Sequence, residues 1–323
     1  MIELQTTWGW QVALYLFLGG LGAGVFIAAT LLGMVRRKRH RRTIAISYWV
    51  CVACIAFGLL SLLAEVVHPG RALLMWRSFS HLTSWMAWGA WSAAAALIIF
   101  FVTAFLTTKT TSRLLSSVWE TYPGLRGKVL KVCSLIGLVP AFIVAFYTGM
   151  LLRAAPGVPF WNSYLLPCLF VVSALGAGIN TVTALVALTK SAKKVSRRKR
   201  RLIAGLVIGA ATVEGVLLFL YMTNMIQGGS GSLPAQQFAV EASAELLVFG
   251  AYALPFWGLV VAGGIVVPLF SSILSLFVKS RVGWRILVVG ALFTVVGDCA
   301  LRFLFLFAGT SADYVGQALL ALV

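Results

Sequence analysis

Residues 9–42 read GWQVALYLFLGGLGAGVFIAATLLGMVRRKRHRR, an apolar run that ends in a strongly basic one. The apolar part, residues 9–35, is longer than the roughly 20 residues that a helix needs to cross the hydrocarbon core of a bilayer. Because positive charge is retained on the cytoplasmic side of a membrane, the basic part predicts a helix that runs from outside to inside. The run has no small-residue cleavage site, and we interpret it as a retained span and not as a signal peptide.

Further apolar runs of membrane-spanning length follow, in a chain of 323 residues that is 61% hydrophobic with a mean hydropathy of +0.98. A chain of this composition is too apolar to present an ordinary wet surface. The sequence therefore predicts an all-α integral membrane protein with eight transmembrane helices. The predicted spans are residues 9–35, 43–66, 82–107, 129–152, 164–189, 202–226, 240–277 and 286–308.

The basic residues are concentrated in every second connection between these spans. Of 26 lysines and arginines, 22 lie in four connections. These connections are residues 36–42, 109–131, 190–201 and 279–285. The alternation predicts that both termini lie outside. It also explains the net charge of +18 without nucleic acid, which is the weaker interpretation because no aromatic residues interleave with the charges.

The tetrapeptide LGAG occurs twice, at residues 21–24 and 175–178, in spans that are predicted to run in the same direction. The repetition suggests two four-helix halves in a parallel pseudo-repeat, residues 1–152 and 153–323. The glycines of the first motif have two interpretations. They allow neighbouring helices to pack closely, which is the commoner role of small residues in membranes, or they leave room for a flat ligand against the backbone.

The histidines and cysteines argue against several cofactors. His40 lies in a basic connection, whereas His68 and His81 flank a single outer connection, so no two histidines can clamp a haem within the bundle. The five cysteines fall inside predicted spans and form no four-ligand cluster. We therefore expect no haem, no iron–sulfur cluster and no metal site in this chain.

Charged residues inside the spans need an explanation, because each costs roughly 2.5–3.5 kcal/mol on membrane-insertion scales. Asp298 and Arg302 are spaced i, i+4, so the pair can neutralise itself within the bundle. A proton route between the two sides of the membrane is the alternative. Glu214 lies near the middle of the sixth span with no evident partner, and its role stays open.

Other polar groups gather at the outer ends of the spans. Glu65 and His68 lie about one helical turn apart, where they can accept and pass on protons or simply end a helix in headgroup water. Tyr147 lies about one turn below the outer surface, where a phenol can donate a hydrogen bond to a carbonyl oxygen or belong to the interfacial aromatic belt. Arg153 can extend to the headgroups or pair with a carboxylate such as Glu65.

The segments YTGMLL, at 147–152, and PFWNSYLLPCLFVVSALGAG, at 159–178, resemble the signature of the NrfD and polysulfide reductase membrane-subunit family. Supporting matches extend over most of the chain. They are YLFLGGLGAG in span one, AEVVHPGR and SWMAWGAW across spans two and three, WGLVVAGGIVVPLF in span seven and ALRFLFLFAG in span eight. Asp298 departs from the family pattern, in which a small residue is more usual, so the resemblance implies no role for it.

The resemblance implies a haem-free subunit of a prokaryotic cytoplasmic membrane that binds menaquinone or ubiquinone. It would anchor a four-cluster iron–sulfur subunit on the outer face and, through it, a molybdopterin catalytic subunit. The implied reaction is electron exchange between the quinone pool and that partner, with quinol oxidation the favoured direction. The chain alone would not be a complete enzyme.

By position, the resemblance implies a quinone pocket at Tyr147 and Tyr15 and proton transfer at Glu65 and His68. We add Gly149 and Arg153 to the predicted pocket, with Arg153 fixing the local charge. A quinone head group needs hydrogen-bond donors, a proton acceptor and apolar walls, and the outer ends of the spans offer these groups. Two alternatives remain at this stage. One is a secondary transporter with Glu214 as its coupling carboxylate, and the other is a passive anchor without quinone chemistry.

Overall fold

Eight helices are long and apolar enough to cross a membrane, among the residues that the computed structural model describes. The described residues are 3–6, 8–36, 40–65, 85–108, 111, 122–155, 157–189, 195, 197–229, 231 and 233–312. The eight segments are Trp10–Val35, Arg41–Glu65, Trp85–Thr107, Gly127–Arg153, Leu165–Leu188, Arg197–Ile226, Ala253–Phe277 and Val282–Phe307. The prediction of an all-α, multi-pass membrane protein with eight spans is confirmed.

The described part of the chain contains α-helices, a 3-10 turn, a π-helix and two short strands. The α-helices are α1 (Trp10–Arg36), α2 (Arg41–Glu65), α3 (Trp85–Thr107), α4 (Tyr122–Ile136), α5 (Leu138–Arg153), α6 (Leu165–Leu188), α7 (Arg197–Ile226), α8 (Pro234–Val248), α9 (Ala253–Pro255), α10 (Val267–Phe277) and α11 (Ser280–Phe307). A 3-10 turn, Pro159–Trp161, precedes α6, and a π-helix, Phe256–Val266, separates α9 from α10. The strands are β1 (Glu3–Leu4) and β2 (Thr310–Ser311).

The fourth span consists of two helices, α4 and α5, which meet at Gly137. Pro140 explains the interruption, because it has no N–H to donate to the carbonyl of Ile136 and its ring crowds that carbonyl. The N–H of Gly137 still donates to the carbonyl of Cys133 at 2.9 Å, so the chain continues across the membrane.

The seventh span begins later than the sequence indicates. The prediction of one helix over residues 240–277 is wrong in its first part, because α8 ends at Val248 and the spanning segment starts at Ala253. Gly250 donates to the carbonyl of Glu245 at 2.8 Å, which closes the end of α8. Pro255 cannot continue the hydrogen-bond ladder of a preceding helix, so the chain turns before it enters the bundle.

Helix α1 is the most deeply buried span and packs against α2, α5, α6 and α11. Its crossing with α6 is very close, because a Cβ atom on Gly24 would lie 1.9 Å from the carbonyl oxygen of Ala174. A Cβ atom on Gly178 would lie 2.1 Å from the carbonyl carbon of Gly24. The two LGAG motifs therefore pack on each other, and the close-packing interpretation is confirmed at Gly24. The division into two repeated halves stays a prediction.

The first and last described segments, β1 and β2, lie at one end of the bundle, which we call the terminal end. Strand β1 pairs antiparallel with β2, so Glu3 lies opposite Ser311. The N–H of Gln5 then donates to the carbonyl of Gly309 at 2.9 Å. An even number of spans requires this arrangement. The placement of the terminal end outside the cell stays a prediction.

The opposite end, which we call the basic end, contains the start of α2, the end of α3 and the start of α7. Thr43 and Thr189 share a hydrogen bond of 2.7 Å there. Arg200 donates from Nη2 to the carbonyl of Val278 at 3.1 Å. These bonds join helix ends that border the connections in which the sequence concentrates its positive charge.

Candidate functional site

Two buried tyrosines meet near the terminal end of the bundle. Tyr15 of α1 and Tyr147 of α5 are 2% and 4% exposed and belong to the same buried hydrophobic cluster. The ring of Tyr147 lies against Gly89 of α3, where a Cβ atom would come within 1.9 Å of Cζ. Gly58 of α2 leaves similar room beside Tyr15, with a Cβ position 3.3 Å from Cδ2. Because Gly58 on α2 and Gly89 on α3 have no side chain, the two tyrosine rings have room beside these helices.

The hydroxyl groups of this tyrosine pair have no hydrogen-bond partner among the described residues. The other two almost fully buried tyrosines, Tyr221 and Tyr48, each form a hydrogen bond through the hydroxyl group. Tyr221 donates to the carbonyl of Phe160 at 2.5 Å, and Tyr48 shares a hydrogen bond of 3.2 Å with Thr30. A phenol hydroxyl that has no partner in the protein can donate a hydrogen bond to a ligand. The tyrosine pair is therefore suited to bind a ligand with hydrogen-bond acceptors.

A cavity of about 410 Å³ lies beside the tyrosine pair, closer to the terminal end. Leu151 in its wall is one helical turn beyond Tyr147 on α5, and Trp85 is one turn before Gly89 on α3. We call it the aromatic cavity. Its lining residues are Gln5, Trp8, Trp85, Met86, Leu151, Ala154, Ala155, Gly157, Val158 and Trp161. Neither tyrosine lines the cavity itself, which begins about one helical turn from Tyr147.

The wall of the aromatic cavity is held in place by specific contacts. The rings of Trp8 and Trp161 stack with centroids 5.4 Å apart and planes 9° from parallel. Trp161 donates from Nε1 to the carbonyl of Phe305 at 2.8 Å. Gln5 donates to the carbonyl of Trp8 and accepts from its N–H, both at 3.0 Å. The N-terminal segment and the 3-10 turn therefore form a fixed wall.

These tryptophans were not predicted as site residues. Tryptophan at the end of a span is typical of the membrane interface, and that interpretation needs no ligand. The signal that could have identified them is their common location, since Trp8, Trp85 and Trp161 all lie at the predicted outer ends of spans.

Glu65 lies at the terminal end of α2, partly exposed, and faces the start of α1. Its Oε1 atom accepts a hydrogen bond from the N–H of Gly9 at 3.2 Å. One turn inward, Ser61 donates to the carbonyl of Gln11 at 3.1 Å. Glu65 is seven residues from Gly58, which corresponds to about 10 Å along the helix and separates it from Tyr15. His68, its predicted partner in proton transfer, lies outside the described residues.

Arg153 and Gly149 contact Tyr164 and Pro167 and not the tyrosine pair. The guanidinium carbon of Arg153 lies 3.5 Å from the centre of the Tyr164 ring, and the side chain lines a separate cavity of about 190 Å³. Glu65 and Arg153 do not form the ion pair that the sequence left open. A Cβ atom on Gly149 would come within 2.4 Å of the Cα atom of Pro167, so this glycine permits contact between α5 and α6. Of the predicted pocket residues, only Tyr15 and Tyr147 are brought together.

A cluster of charged side chains is buried between α6, α7 and α11. Arg302 pairs with Asp298 at 2.9 Å, which confirms the predicted i, i+4 pair. Ser173 of α6 donates to Asp298 and accepts from Nη1 of Arg302 at 3.1 Å. Arg302 also donates from Nη2 to the carbonyl of Phe170 at 3.0 Å. The pair thus fixes α11 against α6.

Glu214 belongs to this same buried cluster. It is 6% exposed, and its Oε2 atom lies 3.6 Å from the Cβ position of Gly176 on α6. It is close enough to the Asp298–Arg302 pair to feel its charges but forms no ion pair with Arg302. The sequence showed no partner for it, because the partners lie on other helices and only the packing of α6, α7 and α11 brings them together. Among the described residues, no group of three or more histidines, cysteines or acids could hold a metal ion.

Comparison with known proteins extends over nearly the whole chain. A family profile described as "Polysulphide reductase, NrfD" matches residues 3–312. The chain is 27% identical over 312 residues to one chain of the polysulfide reductase of Wolinella succinogenes and 25% identical over 311 residues to protein NrfD of Escherichia coli. Each of these alignments covers 94% of both proteins. One subunit of the selenate reductase of Mesobacillus selenatarsenatis is 24% identical over 214 residues, which cover 58% of this chain and 50% of that one. The chain belongs to the NrfD polysulphide reductase family.

Proposed function

We propose that this chain is the membrane subunit of an oxidoreductase complex, and that it binds a quinol in the aromatic cavity beside the tyrosine pair. Relatives named as parts of a polysulfide reductase and of a selenate reductase support the role of a reductase subunit. The terminal end would face outward and carry an iron–sulfur subunit. A molybdopterin catalytic subunit would attach through that partner, in the cytoplasmic membrane of a prokaryote.

The two hydroxyls without a partner are the observation that carries this proposal. A quinone has two carbonyl oxygens that accept hydrogen bonds, and a phenol is a suitable donor to each. Tyr147 would donate to one of them, and Tyr15 would complete the polar edge of the pocket. The ring and the first part of the tail would lie against Trp8, Trp85 and Trp161, as is usual for mostly apolar ligand pockets with few polar groups.

Oxidation of a quinol releases two electrons and two protons, and the chain must direct both. The electrons would pass to the iron–sulfur partner at the terminal end. Glu65 would accept a proton there, since its carboxylate is partly exposed and lies at the same end as the aromatic cavity. His68 would act as the second acceptor. Quinol oxidation is the proposed direction, and menaquinone and ubiquinone are both suitable.

Glu214 does not favour the transporter alternative. A coupling carboxylate has to bind and release its ligand at the midplane, in alternating exposure. Glu214 lies instead in a cluster that the Asp298–Arg302 pair holds together across α6 and α11. This setting favours a fixed role in packing.

The proposal is tested by titrating the detergent-purified chain with a fluorescent quinol-site inhibitor. Tyr147→Phe removes one hydrogen-bond donor, which is worth about 1–1.5 kcal/mol, so binding should weaken by roughly tenfold. Tyr48→Phe is the matched control, because it removes an equally buried hydroxyl outside the site and should leave the affinity unchanged. If the folded wild-type chain shows no saturable binding, with or without its iron–sulfur partner, the passive anchor is the correct alternative.

A further inference from the structure

A groove of about 470 Å³ lies between α2 and α3 at the basic end, on the far side of the bundle from the tyrosine pair. We call it the basic groove. Its lining residues are Arg41, Arg42, Ala45, Ile46, Trp49, Thr107 and Thr108. The α2 residues are spaced three or four apart, so they share one face of that helix. Two arginines therefore stand at one end of a wall that is otherwise apolar.

The two helices that form the basic groove are bridged by side chains at its edge. Trp49 donates from Nε1 to the hydroxyl of Thr108 at 3.0 Å, with 39% of the tryptophan exposed. Arg41 reaches from Nε towards the carbonyl of Thr107 at 3.5 Å. An exposed tryptophan with its N–H bonded and its ring towards the groove is typical of a side chain at the boundary between lipid tails and headgroups.

No carboxylate neutralises the arginines of the basic groove within the described part of the chain. Neither Arg41 nor Arg42 forms an ion pair there, and Arg42 is exposed. The described acidic residues lie at the terminal end or in the buried cluster, namely Glu3, Glu65, Glu214, Glu241, Glu245 and Asp298. The first peptide N–H groups of α2 add a partial positive charge at the same place. Among the described residues, the arginines of the groove thus have no anionic partner.

We propose that the basic groove binds an anionic glycerophospholipid. The lipid phosphate lies between Arg41 and Arg42, because a planar guanidinium matches the oxygens of a phosphate with two parallel hydrogen bonds. One acyl chain follows Ala45, Ile46 and Trp49 towards the centre of the membrane. A zwitterionic lipid brings an ammonium group to a strongly positive surface and binds less well. Free phosphate satisfies the arginines but leaves the apolar wall uncovered.

Native mass spectrometry of the purified full chain tests this proposal. Phosphatidylglycerol and phosphatidylcholine of the same acyl composition are added in turn, and the occupancy of the first tightly held lipid is measured. We expect the wild-type chain to prefer phosphatidylglycerol, and Arg41→Gln with Arg42→Gln to lower that affinity by tenfold or more. The matched control is Arg197→Gln with Arg201→Gln, which removes two exposed arginines of α7 at the basic end and should retain the affinity.

A second variant tests the contribution of the apolar wall separately from that of the two arginines. Ala45→Phe keeps both arginines but fills the apolar wall, and it should also lower phosphatidylglycerol occupancy by several-fold. Inorganic phosphate at millimolar concentration should not displace the lipid. Equal affinity for the two lipids, equal loss in the groove and control variants, or displacement by phosphate alone would overturn the proposal. The melting temperature of each variant identifies any that fails to fold, and Ala45→Phe and Arg41→Gln alone then serve as independent tests.

Discussion

At the scale of single residues, the position of Tyr147 depends on the absence of one methyl group from a neighbouring helix. A Cβ atom at Gly89 would lie 1.9 Å from Cζ of the tyrosine, so Gly89→Ala must displace the ring. We expect binding of the quinol-site inhibitor to weaken at least as much as in Tyr147→Phe. The overpacking should also lower the free energy of unfolding by about 1–3 kcal/mol. Both quantities can be measured on the same detergent-purified sample.

Gly209→Ala is the matched control for this substitution. Gly209 lies on α7 with no atom within 4 Å of its Cβ position, so the added methyl group meets open space. Its inhibitor affinity should equal that of the wild type, and its free energy of unfolding should rise by about 0.5–1 kcal/mol because alanine is the better helix former. An unchanged affinity in Gly89→Ala would show that the tyrosine ring can move without loss of the site.

Only part of the site could be predicted from the sequence. Tyr147 and Tyr15 were expected because their motifs resemble those of a known family. Gly89 and Trp161 were not expected, since each acts through a contact with a residue on another element. Glycine and tryptophan in a membrane helix have common packing and interfacial roles, so their types alone do not indicate a site.

At the scale of the helices, apolar length was enough to predict eight spans, but it could not predict where the seventh begins. Residues 240–248 contain Glu241 and Glu245, but their other residues are mostly apolar and continue into the span that follows, so the sequence prediction did not separate the two helices. The boundary is set by hydrogen bonding instead, since Gly250 closes α8 and Pro255 cannot donate within a continuous helix. In the fourth span, Pro140 produces a break that leaves the span in place.

At this scale, we predict that the Asp298–Arg302 pair, which fixes α11 against α6, contributes to the free energy of unfolding. Asp298→Asn leaves Arg302 charged and fully buried without its ion pair, and breaking such a pair costs about 3–5 kcal/mol. Glu214 forms no ion pair with Arg302 in the wild type, but its carboxyl group belongs to the same buried region and can take over part of the pairing when Asp298 is lost. We therefore expect a cost near the lower limit, about 3 kcal/mol. The free energy of unfolding in detergent measures it.

Adding Glu214→Gln to Asp298→Asn should cost more than the sum of the two single substitutions. Each single variant keeps one carboxyl group in the buried region that can pair with Arg302, whereas the double variant keeps none. Glu241→Gln removes an exposed carboxylate of α8 and should stay within about 0.5 kcal/mol of the wild type. If the losses in free energy of unfolding of the two single variants add up to that of the double variant, Glu214 does not help to neutralise Arg302.

At the scale of the whole molecule, the terminal end and the basic end of the bundle carry different groups. Strand pairing puts residues 3 and 311 at the terminal end with the tyrosine pair. The basic groove and Arg200 lie at the other end. Retention of positive charge in the cytoplasm therefore predicts that the aromatic cavity opens outside and that the basic groove contacts the inner leaflet.

Reporter fusions to the full chain measure this orientation. Alkaline phosphatase, which is active only outside the cytoplasm, should be active when fused to the C-terminus and inactive when inserted at Val195. A green fluorescent protein, which fluoresces only inside, should give the opposite pattern. The physical reason is the charge of the connections, so exchanging the basic residues at 36–42 for glutamine should weaken the bias. Phosphatase activity at Val195 in the wild-type chain would place the aromatic cavity in the inner half of the membrane, out of reach of an outer iron–sulfur partner.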